Sequence, residues 1–245
     1  MADNPVIHTE NLCRRFGDFT AVHPLSIDIH QGQIVGFLGA NGAGKTTAIR
    51  MLCGLLKPSE GSASVAGCNI STQSELLKTR IGYMSQKFSL YDDLSVRENM
   101  LFYSGIYRVK KAAALLQAQE ILQLMRISLN PRMLTKSLPL GYKQRLSLVC
   151  ALLHDPPVLF LDEPTSGVDP QARRAFWSMI NTLADRGKTI IVSTHFMDEA
   201  EYCHRVIVMA NGKVLVNDQP EILKAQFGAA NMQDLFIKLM GESSE

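Results

Sequence analysis

The chain has 245 residues, 46% of them apolar and 20% charged, with a formal net charge of +2. That is enough length and apolar content for one sizeable core, with or without a subdomain, and it excludes a disordered chain. The near-neutral charge gives no electrostatic case for nucleic acid as a partner, and no apolar run approaches the ~20 residues that a membrane-spanning helix needs.

The start, Met1-Ala2-Asp3-Asn4-Pro5, has neither a basic segment nor an apolar one, so it does not read as a secretory signal. The cysteines (Cys13, Cys53, Cys68, Cys150, Cys203) are odd in number and have no close pairs. They predict free, mostly buried thiols in a reducing compartment, not a metal site or a disulfide framework. The expectation is a cytosolic protein.

In chain order, Val6 to Glu10, Ala21 to His30 and Ile34 to Leu38 read as strands, with a turn at Gly32-Gln33. A helix is predicted from Lys45 to Leu56, stopped by Pro58. Gly61 to Val65 and Ile81 to Met84 read as further short strands. From Ser95 to Met125, alternation gives way to Ala, Leu, Gln and Met at helical spacing. Residues 88–155 are therefore read as a largely helical subdomain that ends at Asp155-Pro156-Pro157. Then come a strand (Val158 to Leu161), a helix (Pro170 to Asp185), a strand (Thr189 to Ser193) and a short helix (Asp198 to Tyr202). A hairpin around Asn211-Gly212 joins Arg205–Met209 to Lys213–Val216. Short helices over Pro220–Gln226 and Met232–Met240 close the chain. Buried apolar strands alternating with helices predict an α/β fold with a mostly parallel sheet.

Gly39-Ala40-Asn41-Gly42-Ala43-Gly44-Lys45-Thr46 fits the phosphate-binding pattern G-x-x-x-x-G-K-[ST] and lies between a strand and a helix, as that pattern requires. Its glycines let successive N–H groups converge on phosphate oxygens, and the following helix adds its free N–H groups and positive dipole end. Lys45 is placed to reach the β- and γ-phosphates, and Thr46 to offer a hydroxyl to Mg²⁺; Thr47 is counted in the same site. Val158 to Glu163 is an apolar strand ending in two carboxylates, at the strand end where α/β sheets gather ligands. Asp162 is a candidate Mg²⁺ ligand and Glu163 a candidate general base toward water. Ile190 to His195 ends on an imidazole able to hydrogen-bond a γ-phosphate and orient water.

With these residues in place the chain resembles the ATP-binding-cassette (ABC) ATPases, over essentially residues 5–240. Phe16 matches the aromatic that stacks on adenine. Gln86, after Gly82-Tyr83-Met84-Ser85, matches the glutamine that touches Mg²⁺ and water and senses the membrane partner. Ser166-Gly167-Val168-Asp169 matches the loop that crosses the dimer interface, with Asp169 also an N-cap before Pro170. His195 matches the switch histidine. The resemblance implies a phosphate-loop (P-loop) NTPase fold with an N-terminal antiparallel β-subdomain and an inserted α-helical subdomain. It also implies one cassette over residues 1–245, in which 1–87 and 156–245 form the nucleotide-binding core and 88–155 carry the signature. ATP and Mg²⁺ are the implied ligands. A second cassette, identical or not, and transmembrane permease subunits are the implied partners, with the chain peripheral on the cytoplasmic face of the membrane.

One segment departs from the family pattern. Where the family reads Leu-Ser-Gly-Gly-Gln, this chain reads Leu138-Pro139-Leu140-Gly141-Tyr142, ahead of Lys143-Gln144-Arg145. Pro139 has neither hydroxyl nor N–H to offer a γ-phosphate, whereas the Gly141 N–H and the helix N-terminus remain. A weakened composite site, paired with a nonidentical cassette whose signature is intact, is the resulting expectation; a tolerated variant in a homodimer is the alternative.

Large apolar residues over 86–106, among them Phe88, Leu90, Tyr91, Leu94, Met100 and Phe102, suggest a groove for a helix of a membrane subunit. Details such as Lys87-Phe88-Ser89-Leu90-Tyr91 and Thr194-His195-Phe196-Met197-Asp198-Glu199-Ala200-Glu201 resemble drug-exporter cassettes. The alternative class is a soluble ABC ATPase of translation or DNA repair. It is disfavoured because no sustained heptads, second cassette or charged linker is present.

Overall fold

The computed structural model describes residues 4–87 and 89–242. Ile7–Phe16 (β1) and Phe19–Ile29 (β2) form an antiparallel hairpin, followed by the short strand Ile34–Leu38 (β3). Lys45–Leu52 (α1) leads into Glu60–Val65 (β4) and Cys68–Asn69 (β5), then Ser74–Lys78 (α2) and Ile81–Met84 (β6). Val96–Ile106 (α3), Lys111–Leu124 (α4) and Leu140–Leu152 (α5) come next and pack on one another. Val158–Asp162 (β7), Pro170–Asp185 (α6) and Thr189–Thr194 (β8) restore the α/β alternation. A 3-10 segment, Met197–Tyr202, precedes Arg205–Ala210 (β9) and Lys213–Asp218 (β10); Pro220–Gln226 (α7) and Met232–Glu242 (α8) end the described chain.

Two sheets result. The antiparallel one has the order β2-β1-β4-β5, and the larger one β10-β9-β3-β8-β7-β6. All neighbours from β9 to β6 are parallel; only β10 pairs antiparallel to β9. Strands β3, β7 and β8 are buried at every residue, which is why they read as continuous apolar runs rather than alternating ones. Their side chains still divide by period two. Ile34, Leu38, Leu159, Leu161, Ile190 and Val192 face the cluster that contains α5, α6 and α8. Val35, Phe37, Val158, Phe160 and Ile191 face α1 and the antiparallel sheet. This is the P-loop NTPase arrangement.

The predicted order of elements holds, with local differences. Strand β1 runs on to Phe16 rather than ending at Glu10. Helix α1 stops at Leu52, not Leu56. Gly54, at φ 65°, turns the chain, and the Leu55 and Leu56 N–H groups both return to the Arg50 carbonyl. That closes the helix before Pro58 has any effect. Strand β5 and helix α2, too short to show a period, were not predicted. The helix expected at 198–202 is a 3-10 turn. Finally, Phe88 of the proposed groove lies outside the described residues, and Met100 is 4% exposed and belongs to the core.

The parallel register sets the site. Leu38 pairs with Thr194, Asp162 with Ser193 and Met84 with Leu161. The carboxyl ends of β3, β8, β7 and β6 therefore lie side by side, and the residues just beyond them share one edge.

The segment after Gln86 is anchored by Asn99, fully buried on α3. Its side-chain amide donates to the Tyr91 carbonyl at 3.0 Å and to the Thr135 hydroxyl at 2.9 Å, and its oxygen accepts from the Tyr91 N–H at 2.9 Å. Ser95 caps the same helix in a reciprocal bond set with Glu98. Replacing Asn99→Ala leaves buried backbone groups unpaired, and we expect a loss of roughly 1–3 kcal/mol. Equilibrium urea unfolding measures this; an unchanged midpoint would show that Asn99 is not an anchor.

Candidate functional site

Gly44 begins helix α1 in the left-handed region at φ 101°, and a Cβ there would lie 2.5 Å from the Ala21 carbonyl oxygen. Only glycine fits, so the loop is pressed against β2 with its N–H groups turned into a concavity. The concavity opens into a cavity of about 390 Å³ lined by Phe16, Phe19, Asn41 to Thr47, Gln86 and Glu163, among others.

Lys45 is 4% exposed. Its Nζ donates to the carbonyls of Gly39 at 2.8 Å and Ala40 at 3.0 Å and lies 3.8 Å from Glu163 Oε1. Burial pushes the Lys45 ammonium below the ordinary lysine value, and Glu163 and then Asp162 pull it back up. The cation is thus held at the loop mouth by oxygens that cannot move away. Thr46 Oγ1 donates to Asp162 Oδ1 at 2.9 Å.

The two carboxylates at the end of β7 are fixed by a residue on the adjacent strand. Ser193 Oγ donates to Asp162 Oδ1 at 2.6 Å and accepts from the Glu163 N–H at 2.9 Å. The Ser193 carbonyl also accepts from that N–H, at 3.1 Å. Glu163 has φ 47°, a strained conformation for a residue with a side chain. The sheet imposes it, and it turns the carboxylate back toward the loop. Gln86 Nε2 donates to Glu163 Oε2 at 3.0 Å. His195 Nδ1 lies 3.3 Å from the same oxygen, without hydrogen-bond alignment.

Other predicted residues sit around this centre. Phe16 is 47% exposed, so it is no core aromatic; the Arg14 guanidinium lies 4.4 Å from its ring centroid. Asp169 caps α6 by accepting from the Gln171 and Ala172 N–H groups, each at 2.9 Å. These backbone bonds, that from Ala172 foremost, hold its carboxyl below the usual range.

Leu138 is buried, whereas Pro139, Leu140 and Tyr142 are exposed at the start of α5. Pro139 occupies the N-cap position without any side-chain bond. None of Leu138 to Tyr142 lines the phosphate-loop cleft. Leu140 instead lines a neighbouring recess with Gln86 and Ser166.

Two site residues escaped sequence reasoning. Ser193 looked like one more residue of a buried strand; only its pairing with Asp162 reveals its role. Phe19 is 65% exposed at the cleft and pairs with Phe16 across the β1–β2 turn. Its place in a tight aromatic-Gly-Asp-aromatic turn was the available signal.

Fold and site together define a phosphate-loop nucleotide-binding protein. The profile described as ABC transporter matches residues 22–166. The chain is 44% identical over 242 residues to the probable multidrug ABC transporter ATP-binding protein YbhF of Escherichia coli, a match covering 96% of this chain and 42% of that protein. It is 38% identical over 218 residues to the Nod factor export ATP-binding protein I of Burkholderia lata, covering 89% of this chain and 72% of that one. Among solved structures, an ATP-binding subunit of an ABC transporter superposes with a TM-score of 0.85 at 26% identity, covering 96% of this chain and 99% of that chain. The cbiO1 protein of Clostridium perfringens does so with a TM-score of 0.82 at 27% identity, covering 91% and 92%. The chain belongs to the ABC transporter ATP-binding family. It spans less than half the length of the YbhF relative.

Ser193→Ala removes the one side chain that, among the described residues, bonds both the Asp162 carboxylate and the Glu163 N–H. We expect a loss of roughly 1–3 kcal/mol, read in equilibrium unfolding. A stability equal to the unaltered chain would remove the clamp.

Proposed function

We propose that this chain binds and hydrolyses ATP and that the cycle drives a membrane exporter. The carrying observation is the convergence of Lys45, Gln86 and His195 on one buried carboxylate, Glu163, at the mouth of the phosphate loop. The exporter class rests on the relatives, a probable multidrug transporter subunit and a Nod factor export subunit. A soluble ATPase of translation or DNA repair finds no support among them.

The division of labour follows from the geometry. The loop N–H groups and the N-terminus of α1 take the β- and γ-phosphate oxygens, and Lys45 turns from the Gly39 and Ala40 carbonyls toward them. Phe16 offers an aromatic face to the base. The Thr46 hydroxyl, Asp162 carboxylate and Gln86 carbonyl form an all-oxygen donor set that suits Mg²⁺. When bound, the ion would neutralise charge between the phosphates. Glu163, which lines the phosphate-loop cleft beside Lys45, is the group to accept the proton of the attacking water. Gln86 and His195, both beside Glu163 Oε2, orient that water.

The assembly reading is likewise ours. No helix among the described residues is long and apolar enough to cross a membrane, and we assign the transport path to permease subunits. An apolar groove of about 220 Å³ between β6 and α3, lined by Leu55, Tyr83, Tyr103, Ile106 and Tyr107 among others, supports docking of a permease helix. Tyr91 and Phe102, both exposed and in edge-to-face contact, extend that face. We place the partner-facing elements at Ser166 to Asp169 and Leu138 to Tyr142, with a second cassette opposite and residues 88–155 as the signature-bearing subdomain. The chain then lies on the cytoplasmic face of the membrane.

Glu163→Gln should leave ATP binding intact and lower turnover by roughly 10²-fold or more, the scale of a lost general base. Radiolabelled ATP binding and phosphate release measure the two quantities. Substantial residual hydrolysis would take the base role from Glu163.

The signature yields its own expectation. The Tyr142 and Lys143 N–H groups already bond the Pro139 carbonyl, which leaves the Leu140 and Gly141 N–H groups at the open end of α5. Restoring Pro139→Ser with Leu140→Gly adds a hydroxyl and an N–H. Turnover of the assembled complex should rise by about tenfold or more, as for a gained transition-state donor. Unchanged turnover would show that the variant segment is fully competent.

A further inference from the structure

Glu199 is a charged residue with no part in the chemistry above, yet it is completely buried. It sits in the 3-10 turn after β8, on the segment that begins with His195. Its Oε1 accepts from the Thr165 hydroxyl at 2.5 Å, and Thr165, 1% exposed, lies between Glu163 and the Ser166 to Asp169 loop. Arg173 of α6 closes the arrangement from the far side. Its Nε is 3.6 Å from Glu199 Oε1, and its guanidinium lies 3.8 Å from the ring centroid of Phe196, the neighbour of His195. Asp198 accompanies it, at 3.5 Å from Arg173 Nη1.

This cluster is poorly explained as a source of stability. Among the described residues, Glu199 Oε2 and Arg173 Nε have no hydrogen-bond partner. A buried carboxylate with one hydroxyl donor and a loosely aligned cation recovers little of its desolvation cost, and apolar residues of similar size would fill the space at less expense. What the cluster does supply is a direct bond between two segments that leave the sheet at neighbouring strand ends. A second bond pins the same stretch from the signature helix: the fully buried Gln144 side-chain amide donates to the Pro164 carbonyl.

We infer that Glu199 and Thr165 are positioning residues that hold the His195 segment and the Glu163-to-Asp169 loop in one register. A displacement of His195 by nucleotide then reaches the loop facing the partner cassette, and through Pro164 and Gln144 the signature helix. This inference rests on the ATPase reading of the same site. The route is short: His195 to its neighbour Phe196, a cation–ring contact to Arg173, a loose ion pair to Glu199 and one buried hydrogen bond to Thr165.

The test is Thr165→Val, which removes the hydroxyl and keeps the shape, with Thr165→Ser as the conservative rescue and Thr165→Ala as a second deletion. In the full chain, hydrogen–deuterium exchange of both deletion variants should rise together in the peptides spanning residues 164–169 and 195–202, and return to normal in Thr165→Ser. Turnover should fall about tenfold, the scale on which small misplacements of reacting groups act, with ATP binding unchanged in a Glu163→Gln background. In a His195→Ala background the Thr165→Val decrement should shrink or vanish, because the two act through one register.

Exchange that rises only at 164–169 would overturn the inference, as would an undiminished decrement without His195. If the unaltered chain hydrolyses no ATP, the functional reading fails, and the exchange pattern alone still decides whether the two segments are tied.

Discussion

The hydroxyl of Ser193 fixes the distance between the two carboxylates and the phosphate loop. It bonds Asp162 on one side and the Glu163 N–H on the other, across a parallel strand pair in which Asp162 and Ser193 are register partners. The Glu163 backbone, at φ 47°, has its N–H held by both the Ser193 hydroxyl and carbonyl. Asp162 is thereby aimed at Thr46, and Glu163 at Lys45, Gln86 and His195. A sheet slipped by one residue would turn each of these side chains to the opposite face.

The parallel arrangement explains why so few residues suffice. Four adjacent strand ends each deliver one short segment to the same edge, and none has to travel far. The core that holds them is built from strands buried on both faces, whose alternate residues feed two apolar clusters. Charge enters this interior only where it is shared. Lys45, Glu163 and Asp162 compensate one another at the loop, and Glu199 with Arg173 forms a second, looser group one layer away. The first lines the phosphate loop, and the second joins the segments that follow β7 and β8.

The helical insertion contributes geometry of another kind. Helices α3, α4 and α5 carry Pro139 to Tyr142 to the surface at the start of α5, away from the cleft formed by the chain's own phosphate loop. In the assembly we propose, this segment serves the nucleotide of a second cassette rather than the chain's own. The exposed Leu140 and Tyr142 are the groups such a partner would meet in place of a hydroxyl and a bare glycine.

Much of this was legible in the amino-acid order. The glycine spacing of 39–46, the apolar strand closed by Asp162-Glu163 and the strand-end His195 are local patterns whose chemistry depends on residues within a few positions of one another. The continuous apolar runs of β3, β7 and β8 announced a sheet covered on both sides. By contrast, strand order, the Ser193 clamp and the Thr165–Glu199 bond depend on residues brought together from distant positions. Ser193 and Glu199 have nothing in their own neighbourhoods to mark them. Short elements were missed for a related reason: β5 and α2 are held by tertiary contacts, and α1 ends at a backbone turn rather than at the proline that seemed to stop it. Sequence by itself determined which groups this protein possesses for handling phosphate. Tertiary structure decided which of them meet, because hydrogen bonds between buried side chains are set by strand register and packing, and neither is a local property of the chain.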